Sequence, residues 1–369
     1  MPFSPSTAAQ LFDRLAAAYE QSTAGQTTPE AILQIGPCLV SVRASTPTLQ
    51  RQVLRPLACP IQTPQGQRVD FSIDLLDLGA QPLPDLPWNP QAISPEQETS
   101  EYQEGPFLFT RHGDVMLTAL NREAGRTVAL VHDPARWPLR HYKQAIFITL
   151  YQHLRRRGLH LIHASAIGSQ GRAALIAGRS GAGKTTTMLT SVSAGLDFLG
   201  DDTTLVQRTA SGALEVVTLL STLDVTDATA AWFPELTPHL SAQRSHTGKR
   251  QIILSEAYPE RMAASGAVAA ILAPEITGQT HSALAPANRA ALLSELLFFS
   301  VDLHDAALAR AQVEFLAQAV ESTPVYRLLL GRDKDQIPQL IGELINGTTT
   351  GDTFHSLRPQ DQGADGSRS

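Results

Sequence analysis

Cysteine is nearly absent, with two in 369 residues, Cys38 and Cys59. That number builds neither a disulfide framework nor a zinc site. Both are read as small buried hydrophobes in a reducing, cytoplasmic setting. Charge is scarce too, at 17% against a usual ~25%. The 29 basic and 35 acidic residues leave a net charge of −6, which argues against a general nucleic-acid affinity. No apolar run approaches the ~18 residues of a membrane span. Residues 1–21 carry Asp13, Arg14 and Glu20 and no apolar stretch of the secretory type, so no export signal and no membrane partner are expected. No internal repeat at a fixed period stands out. What the chain does have is apolar material, 43% of its residues. That is enough for a large core, and the length suggests two domains at ~150 residues each.

The hydrophobic pattern divides the chain unequally. Residues 8–21 have helical spacing, and 38–43 and 68–76 read as strands. Between 81 and 105 five prolines and an acidic run (Glu96, Glu98, Glu101, Glu104) interrupt regular structure. This segment is expected to be a long surface connection. Short strands at 107–110, 115–119 and 127–132 follow. Residues 139–157 predict a helix whose Arg155-Arg156-Arg157 end, closed by Gly158, suits the dipole and a solvated terminus. Then come strands at 159–167, 173–177 and 197–199, with a helix at 184–194. Further strands are expected at 214–219, 250–254, 267–273 and 325–330, and helices at 287–299, 306–320 and 336–346. Alternating strands and helices indicate α/β architecture. The division is an α+β domain at 1–135, an α/β domain at 136–347 and a polar, disordered tail at 348–369.

One stretch outweighs the rest. Gly178-Arg179-Ser180-Gly181-Ala182-Gly183-Lys184-Thr185 satisfies G-x-x-x-x-G-K-[ST] in full. Chance produces that pattern in roughly one chain of this length in a hundred. It also follows an apolar strand and opens a helix, the context the motif requires. The glycines let the backbone curl around an anion, and the helix N-terminus adds its dipole. Lys184 is expected on the β- and γ-phosphates and Thr185 on Mg²⁺, with Thr186 beside them. The cofactors are therefore ATP, or another nucleoside triphosphate, and Mg²⁺.

The strand ending in Leu199-Gly200-Asp201-Asp202 reads as the carboxylate strand beside the phosphate-loop strand, 17 residues past Lys184. Side chains alternate at a strand end, so one aspartate can face a metal and the other an acceptor. Asp is equally a turn former. His163 lies 21 residues before Lys184 on an apolar strand, where a lone histidine is by default a core residue.

His163, the 178–185 loop and Asp201-Asp202 together resemble the active site of HPr kinase/phosphorylase and the related kinases. The resemblance covers residues 159–206 well and the rest of 136–347 in outline. It implies a P-loop kinase domain of the HPr kinase and phosphoenolpyruvate carboxykinase type, phosphorylating a protein serine hydroxyl. It implies Lys184 on the phosphates, Thr185 and Asp202 on Mg²⁺, Asp201 as general base, and His163 beside the transferred phosphoryl group. It also implies a homo-oligomer. The bifunctional members carry a downstream Glu-Ile-Arg-Gly-Leu-Gly signature. Nothing after Asp202 matches it, so neither phosphorylase activity nor recognition of HPr itself is implied, and the related-kinase subgroup is the better fit. The basic loop Arg244-Ser-His-Thr-Gly-Lys249-Arg250 is a further source of a cation for the phosphoryl group, or a solvated turn. The expected activity is transfer of the γ-phosphoryl of ATP to a Ser or Thr hydroxyl of a protein or peptide. A small-molecule kinase and a non-catalytic nucleotide-binding regulator are the alternatives. A transport motor is disfavoured: no Leu-Ser-Gly-Gly-Gln signature occurs, and no Glu follows the carboxylate pair.

Overall fold

The computed structural model describes residues 7–86, 91–94, 99–136, 139–245, 247–301 and 305–347. The tail at 348–369 lies outside the described residues. The protein is mixed α/β, built on two large mixed sheets.

The first sheet holds β1 (Glu30–Ile35), β2 (Cys38–Ala44), β3 (Ile61–Gln62), β4 (Phe71–Asp77), β5 (Gln91–Ser94), β6 (Thr99–Glu104), β7 (Phe107–His112), β8 (Met116–Asn121) and β9 (Arg126–Val131). Their order is β3-β1-β2-β4-β9-β8-β7-β6-β5. The β2/β4 and β4/β9 pairs are parallel and the rest antiparallel. Helix α1 (Ala8–Thr23) starts in a capping box between Thr7 and Gln10. It packs Leu11, Phe12 and Leu15 on one face of the sheet, against Phe109, Leu117 and Val128. On β4, Asp74 is fully buried and bonds Arg43 of β2 and Arg126 of β9, both at 2.7 Å. A carboxylate there is tolerable because both oxygens meet a guanidinium.

The other face carries α2 (Pro47–Leu54), capped by Thr46 with Pro at its start, and α3 (Leu139–Leu154). Ala145, Ile146, Leu150 and Leu154 of α3 share one core with Leu33, Val40, Val42 and Ile73 of the first sheet. The same core takes in Leu205, Val217, Leu219 and Leu220 from the second half of the chain. The helix assigned by sequence to the second domain thus packs on the first sheet. Its arginine end is bound rather than merely solvated. Arg157 donates to the Asp70 carbonyl oxygen and Arg156 pairs with Asp305 at 3.2 Å. Gly158, at φ +80°, makes the left-handed turn into the next strand.

The second sheet contains β10 (His160–Ile162), β11 (Ala164–Ser169), β12 (Arg172–Ala177), β13 (Asp197–Gly200), β14 (Thr204–Arg208) and β15 (Leu214–Val217). A two-stranded ribbon, β16 (Thr222–Val225) with β17 (Arg250–Ile253), lies apart from it. The long β18 (Ser265–Ile276), β19 (Ala283–Pro286) and β20 (Val325–Leu330) complete the sheet. The order is β10-β14-β15-β18-β12-β11-β13, with β20 pairing β18 and β19. Helices α4 (Lys184–Ser193) and α9 (Gln336–Asn346) cover one face, with Met188, Leu189, Ile337 and Ile341 in its core. Two short helices, α5 (Asp227–Ala230) and α6 (Leu254–Ala257), flank the ribbon on that side. Helices α7 (Arg289–Ser300) and α8 (Ala306–Ser322) cover the other face through Leu292, Leu296, Phe315 and Leu316. A sheet covered on both faces needs apolar runs on its inner strands, and Ala173-Ala-Leu-Ile-Ala177 is one.

Three expectations change. The 81–105 segment contains strands β5 and β6, because β7 pairs β6 and β6 in turn pairs β5, partners that local composition does not announce. The single strand at 159–167 is two, because the chain changes partners at His163: β10 pairs β14, whereas β11 pairs β12 and β13. The carboxylate strand β13 is one place removed from β12, with β11 between them. Cys38 and Cys59 are free and buried, as expected. Among the described residues no helix is long and apolar enough to cross a membrane.

Candidate active site

Strand register assembles the site. Ala164 at the start of β11 faces Ala177 at the end of β12, and Ala166 faces Gly200 at the end of β13. The residues just beyond these ends are His163, Gly178 and Asp201-Asp202, so three separate motifs emerge at one edge of the sheet. The phosphate loop leaves β12 and enters α4 through Gly181 (φ +84°) and Gly183 (φ +102°). These values favour glycine. A Cβ at Gly183 would also sit 2.7 Å from Leu330 Cδ1. Gly183 is the N-cap of α4, and no side chain caps that turn, so its backbone N–H groups remain available to an anion.

A cleft of about 330 Å³ opens here. It is lined by Ser180, Gly181, Gly183, Lys184, Thr185 and Thr186 of the loop, by His163 and Asp202, and by Asp224, Val225, Thr226, Thr229 and Lys249 from the ribbon side. Gly178, Arg179 and Ala182 belong to the loop without lining the cleft. Lys184 is only 6% exposed and donates to the Gly178 carbonyl oxygen at 2.6 Å. Its Nζ is 3.9 Å from Asp202 Oδ1, as is His163 Nε2.

Asp201 and Asp202 diverge sharply. Thr203 N–H donates to the Asp201 carbonyl oxygen at 2.6 Å across Asp202, whose φ is +56°. This tight left-handed turn, of a kind aspartate tolerates, sends consecutive side chains opposite ways. Asp202 faces the cleft. Asp201 is 4% exposed, does not line it, and accepts a hydrogen bond from Ser165 Oγ. Burial first, then the neighbouring Asp202 charge, push its carboxyl up to about 7, against the Ser165 bond and the Lys143 and Lys184 charges. The pair expected to share metal and base duties is thus split between front and back.

His163 holds the turn. Its Nδ1 donates to the Asp202 carbonyl oxygen at 3.1 Å, because a carbonyl can only accept. Its own N–H donates to Ser300 Oγ of α7 at 3.0 Å, and its ring lies 5.4 Å from Phe299. Burial lowers its pKa, partly offset by Asp202. The neutral Nδ1–H tautomer leaves the Nε2 lone pair on the cleft side.

The cleft has two carboxylates after all, since Asp224 supplies the second. Sequence reading missed it. The available signal was an acid near the end of the apolar run Leu223-Asp-Val225, the same pattern that singled out Asp201-Asp202. The basic loop splits too. Arg244 pairs with Asp227 at 2.9 Å and Arg250 donates to the Ser241 carbonyl oxygen, whereas Lys249 lines the cleft. Among the described residues no three His, Cys, Asp or Glu side chains group into a metal cage. Mg²⁺ ordinarily takes one or two carboxylates and completes its shell with phosphate and water, so Thr185 with the cleft carboxylates fits it. The uncapped helix turn, the left-handed glycines and the buried lysine fit a polyphosphate. No family model matches the chain, and no curated protein matches it at a meaningful level.

Proposed function

We propose that the chain is a P-loop kinase of the HPr-kinase-like type, moving the γ-phosphoryl of ATP to a hydroxyl, Ser or Thr of a protein or peptide. The observation that carries this reading is the convergence of His163, Lys184, Thr185 and Asp202 on one cleft. A nucleotide-binding regulator needs the loop and a metal ligand. It does not need a histidine and a carboxylate held opposite the loop.

Each residue has a separable task. The loop N–H groups and the α4 N-terminus bind the phosphates, and Lys184 pairs with the β- and γ-oxygens. Thr185 and Asp224 would hold Mg²⁺; the chemistry the ion supplies when bound is neutralisation of charge on the phosphate oxygens. Asp202 stands beside Lys184 and His163, where the acceptor hydroxyl meets the γ-phosphoryl. It orients that hydroxyl and accepts its proton. The base role implied for Asp201 therefore passes to Asp202, and the metal role implied for Asp202 passes to Asp224. His163 keeps Asp202 in its left-handed turn, and Lys249 adds a second cation across the cleft. Catalysis of this kind is mainly positioning and charge neutralisation.

The test is transfer of label from γ-labelled ATP to lysate proteins and to Ser- and Thr-containing peptides, with mass spectrometry of the products. Wild-type labelling that disappears in Asp202→Asn, with nucleotide binding retained, supports the reading. Nucleotide binding without any transfer refutes it in favour of a regulator.

A further inference from the structure

The first ~135 residues and the helix packed on them have so far contributed nothing to the cleft. We infer that they do contribute: Lys143, on α3, is a positioning residue that neutralises and holds Asp224 at the back of the nucleotide cleft. This inference rests on the reading of the cleft as a nucleotide site.

Helix α3 is anchored in the core of the first sheet through Ala145, Ile146 and Leu150. From that anchor Lys143 Nζ reaches Asp224 Oδ2 at 3.4 Å. The lysine side chain is 15% exposed and the aspartate 32%, so the pair is half-withdrawn from water. Asp224 also lines the cleft, and Lys143 does not. The same ammonium is among the charges felt by the buried Asp201 carboxylate. Lys143 is thus a rear support to two aspartates that flank the site.

Charge accounting gives the support a purpose. Asp202 and Asp224 line the cleft where a triphosphate must settle, and Asp201 is buried behind it. Lys184 and Lys249 stand on the cleft side, and Lys143 arrives from behind, on another structural unit. Without it, nothing behind Asp224 would fix the carboxylate in the pose that receives Mg²⁺, and it would be free to swing toward the cleft lysines. The bland alternative is an ion pair that merely joins two units. Part-exposed pairs contribute little to stability, and that role predicts no change in ligand binding.

The experiment is a double-mutant cycle read by direct binding of a fluorescent ATP analogue with Mg²⁺, without any acceptor. Lys143→Met is expected to weaken binding about tenfold and Lys143→Arg less than threefold, since arginine preserves the charge. In an Asp224→Asn background Lys143→Met is expected to change affinity less than twofold. Circular dichroism melts keep folding separate from binding; if Lys143→Met alone fails to fold, Lys143→Arg and Lys143→Met/Asp224→Asn complete the comparison. Lys143→Met binding within twofold of wild type overturns the inference. So does an equal loss in the Asp224→Asn background. Absence of nucleotide binding by the wild-type protein would instead overturn the underlying nucleotide reading.

Discussion

Replacing Asp201 by Asn tests the separation of the two aspartates most directly. Asp201 is buried and its carboxyl is raised from an ordinary 3.8 to about 7. Well below pH 3.8 the group is protonated in both the folded and unfolded chain, so it has no pH-linked effect. As pH rises past 3.8 the unfolded chain releases the proton while the fold retains it, and stability falls. The loss levels off once pH exceeds 7. At pH 8 it amounts to about 4 kcal/mol. At pH 5 it is already about 2 kcal/mol by the same relation. Wild type therefore loses about 2–3 kcal/mol between these pH values that Asp201→Asn, with nothing to ionise, keeps. The asparagine carries a constant offset, because its amide needs a partner beside Ser165, but that offset cancels in the difference. Urea melts of both proteins at pH 5 and pH 8 in EDTA measure it. An advantage of Asp201→Asn that is the same at both pH values would refute the argument. It would mean an ionised, solvated carboxylate, and would return Asp201 to the cleft as candidate base.

Further expectations follow from the same geometry. Asp202→Asn should lower transfer ~100-fold or more while nucleotide affinity changes little, measured by initial rates and by equilibrium binding; Asp201→Asn should cost far less. Lys184→Ala should weaken nucleotide binding or abolish turnover, and unchanged affinity and rate would remove the phosphate-loop assignment. Gly183→Ala meets a φ of +102° and a contact of 2.7 Å with Leu330. Calorimetry should therefore show weakened nucleotide binding together with a stability loss of about 1–3 kcal/mol. Asp74→Asn, far from the cleft, strips the shared carboxylate charge from Arg43 and Arg126 and should destabilise the fold by about 3–5 kcal/mol in denaturant melts, with no change in nucleotide affinity once folded.

Much of this architecture could be read from residues alone, and the exceptions share a cause. The phosphate loop, α4, β12 and the helices of the second half have strong local patterns, and they appear where periodicity places them. Strand β6 does not: Thr99-Ser-Glu-Tyr-Gln-Glu104 has no clear apolar alternation, and its pairing with β7 supplies the reason it is a strand. The break at His163 is invisible for a similar reason, since Leu161-Ile-His-Ala-Ser is uniformly strand-like and only the change of partner divides it. Within the site, alternation correctly implied that Asp201 and Asp202 point apart. It could not say which one faces the cleft, because the left-handed turn at Asp202 decides that. Asp224 and Lys249 reach the cleft only through the ribbon, a contact between segments distant in sequence.

The hairpin that joins His163 to the phosphate loop has a kinetic consequence. Residues 163 to 202 form one continuous stretch in which β11 pairs with both β12 and β13 through short connections and α4. Such contacts have low sequence separation and close early, before long-range pairings such as β12 with β18 repay their entropy. The histidine, the lysine and the aspartate of the candidate site are therefore set relative to one another by a nearly self-contained segment of about 40 residues. Lys143, Asp224 and Lys249 are added from outside it.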